Sequence, residues 1–237
     1  RANKVFWRDT PLRLDGPAVQ YLQYLFLCDW NFCADAPLEP DNLLFPPLSS
    51  IPKRGNKIVQ IAASGPDSET PVILYSIIQA INLASKEILI STPYFVPNES
   101  LLDALRIASL GGLKIKIILP LKSDSSIVDL AVQSYYNELL SVGIEIYRYQ
   151  KGFMHAKTIV FDGQLAMVGT SNMDIRSFDL NFEVNAIVYD KEIAEKLQET
   201  FYDDLKDSVR VDTLDWGNRT AIRKLTEKAF RLISPLL

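Results

Sequence analysis

The chain has 237 residues, 48% of them hydrophobic and 23% charged, with a formal net charge of −4. Those proportions belong to an ordinary globular protein long enough to bury a substantial core, and they exclude a disordered chain. A net negative charge also argues against a nuclease, which needs a basic groove for the nucleic-acid backbone. With one histidine in the whole chain, His155, any imidazole chemistry is tied to a single position.

In chain order, the first long apolar stretch is residues 21–28, far short of the roughly 20 residues that span a bilayer, and no signal peptide with a cleavage site precedes it. Cys28 and Cys33 are too few for a disulfide framework and lack histidine neighbours for a metal site, so they read as free thiols of a reducing compartment. Residues 34–55 hold Pro37, Pro40, Pro46, Pro47 and Pro52 and read as a linker. The pattern then alternates: strand 57–62, helix 72–85, strand 88–91, helix 98–109 closed by Gly111-Gly112, and strand 114–119. A helix over 126–142 is stopped by Gly143, and strand 144–149 follows, then a two-stranded ribbon, a strand over 181–189 and a helix over 191–207. This alternation predicts an α/β sandwich around a mixed central sheet.

Two short segments offer a choice of roles. Ser64-Gly65-Pro66-Asp67 follows a strand and precedes a helix, as a phosphate-cradling turn would, yet it has few glycines and reads better as a plain capped loop. Tyr94, Phe95 and Pro97, just past a strand end, belong either to the mouth of a site or to the core. Residues 216–237 depart from the acidic whole. Arg219, Arg223, Lys224, Lys228 and Arg231 face Glu227 alone, beside an apolar stripe of Ile222, Leu225, Ala229, Leu232, Ile233 and Leu236. Such a helix either docks on the domain with a solvated basic face or meets an anionic membrane.

The chemistry is concentrated in His155-Ala-Lys157, Asp162, Gly169-Thr170-Ser171-Asn172 and, eleven residues on, Glu183. Residues two apart on a strand share a face, so His155 and Lys157 can reach one small site, as can Thr170 and Asn172. Asp162-Gly163 is a hairpin signal between the β-rich runs 158–161 and 165–168. A neutral imidazole can attack a phosphodiester phosphorus and become a phosphohistidine. The Lys157 ammonium, Thr170 hydroxyl and Asn172 amide can bind the non-bridging oxygens, with no metal or cofactor required. In 181–189, Phe182, Val184, Ala186 and Val188 alternate as a core face. Glu183 is left on the other side, where it can hold the second imidazole nitrogen.

These positions resemble the signature of the phospholipase D superfamily, HxKxxxxDxxxxxxGSxN with a later acid, with Thr170 in place of the usual serine. The runs 92–102, 118–124, 134–140, 146–150, 174–178 and 234–237 resemble the carboxyl-terminal half of bacterial cardiolipin synthases. That resemblance implies a phospholipase D-like α-β-α sandwich and a phosphatidyltransferase joining two phosphatidylglycerols into cardiolipin and glycerol through a phosphatidyl-histidine. It implies His155, Lys157, Asp162 and Glu183 as the catalytic set, with Lys157, Thr170 and Asn172 on the phosphate. His155 is then either the nucleophile or the general acid, and Asp162, from its place at the hairpin, is a structural hydrogen-bonding partner. It also implies a bacterial cell-membrane setting, with phosphatidylglycerol and membrane lipid as partners and no nucleic acid.

Family members use two such motifs around one site, whereas this chain has one histidine. Residues 7–26 can be laid on the segment from Asn181 to Phe201. Asp9 falls near Glu183, while Asp15, Leu22, Gln23, Phe26 and Asp29 fall on Asp190, Leu197, Gln198, Phe201 and Asp204 after a one-residue gap. The expectation is a soluble fragment of a longer enzyme. Residues 1–33 are then the tail of a first repeat, 34–56 a linker, 57–210 the second repeat and 211–237 a basic helical segment, with the amino-terminal half of the same enzyme as partner. Two other readings stay open: a phosphodiesterase or nuclease completed by homodimerisation, and an inactive phosphate-binding half-site.

Overall fold

The computed structural model describes residues 6–52 and 54–233. Its elements are β1 (Trp7–Arg8), α1 (Ala18–Cys33), a short 3-10 turn (Leu48–Ser50), β2 (Ile58–Ser64), α2 (Val72–Leu83), β3 (Glu87–Ser91), β4 (Phe95–Val96), α3 (Glu99–Leu110) and β5 (Lys114–Pro120). They continue with α4 (Ser126–Ser134), α5 (Tyr136–Ser141), β6 (Glu145–Tyr149), β7 (Phe153–Met154), β8 (Thr158–Phe161), β9 (Leu165–Gly169), β10 (Met173–Asp174) and α6 (Ile175–Asp179). The last are β11 (Glu183–Tyr189), α7 (Lys191–Lys206), β12 (Ser208–Arg210), α8 (Thr213–Gly217) and α9 (Ala221–Ile233).

Eight strands form one mixed sheet in the order β12-β6-β5-β3-β8-β9-β11-β2. Within it β3, β5 and β6 are parallel, and every other pairing is antiparallel. Alternation along the central strands sends side chains to two cores. Ile88, Ile90, Ile115 and Ile117 pack beneath α2 to α5, while Leu89, Ile118, Val160 and Ala166 pack against Ala194 and Phe201 of α7. Helices on both faces give the expected α-β-α sandwich.

Helix starts follow their caps. Asn98 accepts the Leu101 N–H at the head of α3, and Asp190 accepts that of Ile193 at the head of α7. The helix expected over 126–142 is two helices. The Ser134 hydroxyl donates back to the Ala131 carbonyl at 2.6 Å and Tyr135 N–H bonds to Val132, tightening the turn between α4 and α5. The strand expected to show one core face, β11, is buried on both. Asn185 and Ile187 are as enclosed as Ala186 and Val188, because β11 lies between β9 and β2, while Phe182 is 67% exposed. In the Ser64-Gly65 segment, Gly65 N–H is satisfied by the Ser68 hydroxyl and Ile73 N–H by Ser64, so it is a capped loop and no phosphate cradle.

The carboxyl-terminal helix docks with its sides reversed from the expected orientation. Arg219 makes a two-point ion pair with buried Glu227 and lies over the Trp216 ring, 3.8 Å from its centroid. Arg223 reaches Gln133 of α4 and Arg231 reaches Glu138 of α5, so two of the basic side chains tie the helix to them. Ile222, Leu225 and Leu232 are left outward, 71–84% exposed. The side chains of Lys228 and Ile233 in the expected pattern, and residues 234–237 with Leu236, lie outside what the structure describes. Among the described residues no helix is long and apolar enough to cross a membrane.

Candidate active site

The parallel pairing of β1 with β7 brings Trp7 beside Phe153 and Arg8 beside Met154. The Arg8 carbonyl then accepts the N–H groups of His155 (2.8 Å) and Ala156 (3.0 Å), fixing the backbone just before β8. Arg8 itself is anchored to Asp204 of α7 at 2.7 Å. His155 lies half-buried with its ring 4.7 Å from that of Trp7, edge to face. Lys157, two residues on, points the same way, and its Nζ is 2.9 Å from His155 Nε2 and 2.8 Å from the His155 carbonyl.

The other nitrogen of the ring, Nδ1, is 2.9 Å from Asp9 Oδ2. A carboxylate only accepts and an ammonium only donates, so Nδ1 carries the proton and Nε2 presents its lone pair. Burial raises the Asp9 carboxyl, but its hydrogen bonds from the His155 ring and the Thr10 N–H, with the nearby Lys157 charge, outweigh it, and the net shift is downward. Burial lowers the Lys157 ammonium, against the pull of Asp9, Glu183 and Asp174.

The hairpin forms as expected: β8 and β9 pair antiparallel, and both Asp162 (φ 56°) and Gly163 (φ 62°) take the left-handed conformation that the turn requires. Gly169, at the end of β9, has no room for a Cβ, which would collide with the Asn185 side chain and the Val184 carbonyl. That close approach of β9 to β11 carries Thr170 and Asn172 to the same cavity as His155 and Lys157, about 400 Å³ in volume and walled also by Tyr94. Thr170 donates to Glu183 and accepts the Val184 N–H at 2.9 Å. Phe95 and Pro97 are core, so of the aromatic run only Tyr94 reaches the site.

One sequence assignment changes. Glu183 does not hold His155. Its carboxylate bonds Thr170 and the Asn181 amide, because β11 enters the sheet on the far side of β9 from the imidazole. The residue that does hold His155, Asp9, was visible in the sequence only as the counterpart of Glu183 in the other repeat. Asp162 has the structural hydrogen-bonding place expected of it at the hairpin: it accepts the N–H groups of Ser85 (2.7 Å), Lys86 (2.8 Å) and Glu87 (2.9 Å) and ties the hairpin to the start of β3. Burial pushes its carboxyl up, and these three donors more than reverse that.

A model of the family described as cardiolipin synthase, phospholipase D-like domain, matches residues 77–205, more than half of the chain. The chain belongs to that family. Cardiolipin synthase 2 of Bacillus anthracis is 43% identical over 233 residues, which cover 98% of this chain and 45% of that protein. The chain thus spans about half the length of the curated relatives it matches. Phosphatidylserine synthase of Haemophilus influenzae Rd KW20 shares its fold with a TM-score of 0.59 at 14% identity, over 76% of this chain and 47% of that one. Nuc, a phospholipase D family member from Salmonella typhimurium, does so with 0.56 at 20% identity, over 66% and 99%. At those identities the likeness is one of fold, and it is the phospholipase D-like sandwich that the family motif implies.

Proposed function

We propose that this chain is the carboxyl-terminal half of a phosphatidyltransferase that makes cardiolipin and glycerol from two phosphatidylglycerols. The observation that carries the reading is the Asp9–His155–Lys157 relay, which presents a neutral imidazole, lone pair outward, to a cavity containing an ammonium, a hydroxyl and an amide. The relatives named cardiolipin synthase supply the substrate class.

Nε2 attacks the donor phosphorus, the N–P bond forms and the P–O bond to glycerol breaks. Lys157 Nζ, which caps Nε2 at rest, moves onto a non-bridging oxygen beside Thr170 and Asn172 and offsets the charge that builds there. The leaving glycerol takes its proton from a second imidazole, supplied by the rest of the enzyme. That imidazole then removes the proton of the acceptor hydroxyl as its oxygen displaces His155. With Nδ1 turned to Asp9 and Nε2 left as the acceptor, the geometry supports His155 as nucleophile over proton donor.

The second imidazole belongs to a first repeat, of which residues 6–33 are the tail. Asp9 of that tail orients the histidine of the second repeat, and Glu183, at the matching position beside Thr170 and Asn181, orients the histidine of the first. The uncovered face of α1, with Tyr24, Phe26 and Phe32 exposed, is where the remainder of that repeat packs. The outward Ile222, Leu225 and Leu232 of α9 rest on the lipid surface that holds the substrates. Nothing favours a nuclease, since the chain is acidic.

The test is cardiolipin formation from phosphatidylglycerol vesicles by the natural polypeptide that contains this chain, beside its His155→Ala variant. Cardiolipin made only with His155 intact supports the reading. Phosphatidic acid without cardiolipin from the unaltered protein overturns it in favour of a hydrolase.

A further inference from the structure

Beyond the Tyr94 and Asn172 wall of the histidine cavity lies a second one of about 320 Å³, also lined by Asp124, Asp174, Arg176 and Asn181. That volume is at the low end for small-ligand pockets, roughly 300–1,000 Å³. Tyr94 and Asn172 are therefore a partition between two compartments, one of which holds the nucleophile.

The partition and the walls are built from buried polar groups. Asp174 is 9% exposed and caps α6 by accepting the Ser177 N–H at 2.7 Å. Burial pushes its carboxyl up, against hydrogen bonds from Ser177 and the Asn172 side chain. Tyr94 donates its hydroxyl to Asp124, and burial together with that carboxylate keeps the phenol from ionising. Asn172 Oδ1 is buried and has no hydrogen-bond partner among the described residues. A buried acceptor left in that state calls for a donor from a ligand.

Arg176 is the cation of this cavity. Arg176 is exposed at the rim of the cavity, and its guanidinium has neither an ion-pair nor a hydrogen-bond partner among the described residues. By contrast, Arg219, Arg223 and Arg231 of the carboxyl-terminal segment are all paired. An unpaired guanidinium beside carboxylate and amide acceptors suits a ligand that is hydroxylated at one end and an anionic phosphate ester at the other.

We propose that this second cavity holds the headgroup of the acceptor lipid, the middle hydroxyl of its glycerol donating to Asn172 Oδ1 and its phosphodiester paired with Arg176. This rests on the reading of the chain as a phosphatidyltransferase half and names what that reading leaves open, the place where the acceptor is held. The donor phosphorus must lie on His155, so a separate anion site one partition away is placed for the phosphate that does not react. An acceptor so held presents the hydroxyl at the far end of its glycerol to the phosphatidyl-histidine. Water and neutral alcohols have no phosphate for Arg176 and gain nothing from it, which makes Arg176 a specificity residue for transfer over hydrolysis.

The experiment supplies labelled phosphatidylglycerol vesicles and a fixed concentration of ethanol to the natural polypeptide containing this chain, and measures cardiolipin against phosphatidylethanol. Both products draw on the same phosphatidyl-histidine, so their ratio reports the acceptor alone. Arg176→Gln lowers the ratio about tenfold, as the loss of one charge-assisted contact implies, and raises the phosphatidylglycerol KM for cardiolipin formation. Arg176→Lys, which keeps the charge, recovers most of the ratio. A ratio unmoved by Arg176→Gln, or both products falling in the same proportion, overturns the assignment. An unaltered protein that yields neither product defeats the phosphatidyltransferase reading itself, and the two failures are told apart before any variant is measured.

Discussion

Helices α1 and α7 are both 16 residues long and, from the sequence overlay, occupy equivalent places in two repeats, yet they live in different surroundings. α7 sinks Phe201 to 3% exposure against the sheet, whereas its counterpart in α1, Phe26, is 54% exposed beside Trp30. The acids that precede the two helices differ in the same way. Asp9 has found an imidazole, and Glu183 has only Thr170 and Asn181. The difference teaches that burial and pairing here are set by what stands opposite, and on the proposed two-repeat reading the tail of one repeat serves the other.

The largest effect that would sharpen this comparison is catalytic. Asp9→Asn removes the acceptor that fixes the imidazole tautomer and is expected to lower turnover by about 10³-fold or more in the natural polypeptide, judged from the loss of such an orienting carboxylate elsewhere. Turnover within tenfold of normal would break the assignment of Asp9 to His155.

Next comes stability. Phe201→Ala should cost about 3–5 kcal/mol in denaturant unfolding of this chain, and Phe26→Ala under about 1 kcal/mol. Equal costs would show α1 to be as closely packed as α7 and undo the comparison. In a longer polypeptide that covers α1, the gap should narrow.

Asp162→Asn should cost roughly 2 kcal/mol by weakening a charge-assisted tie to three backbone donors. Because the folded-state carboxyl titrates below its ordinary value, its contribution is complete above the unfolded value, about 4, and is lost as the pH falls through the folded one. The difference in unfolding free energy between Asp162→Asn and the unaltered chain should therefore be constant near neutrality and close only in acid. A gap that opened on acidification would contradict the sign.

The smallest effect concerns α9. Leu225→Asp should reduce co-sedimentation with phosphatidylglycerol vesicles several-fold and leave the Arg219–Glu227 pair in place. Unchanged binding at low salt would remove α9 from the lipid surface.

Most of the sandwich was legible because its signals are local. Hydrophobic alternation marked the strands, Asn98 and Asp190 marked helix starts, and Asp162-Gly163 marked the hairpin. The motif likewise gathered His155, Lys157, Thr170 and Asn172 into one cavity, as strand geometry implied. What was not legible depends on contacts distant in sequence. Asp9 is 146 residues from His155 and reaches it only because β1 pairs with β7. Periodicity placed Glu183 on a face of β11 without saying what that face would meet. In α9 it separated basic from apolar residues, but the buried Glu227 and the Trp216 ring turned the basic side inward. Arg176 stood in the sequence only as part of the run 174–178 that carries the family resemblance, and its place on the second cavity is recognisable only once its neighbours are known.

The most direct measurement uses the single histidine as its own probe. Long-range ¹H–¹⁵N correlation of His155 at neutral pH should show the neutral ring protonated on Nδ1; Asp9→Ala should shift the tautomer balance, and Glu183→Gln should leave it unmoved. A ring protonated on Nε2, or one that responds to Glu183 and not to Asp9, would contradict the pairing across repeats on which the account rests.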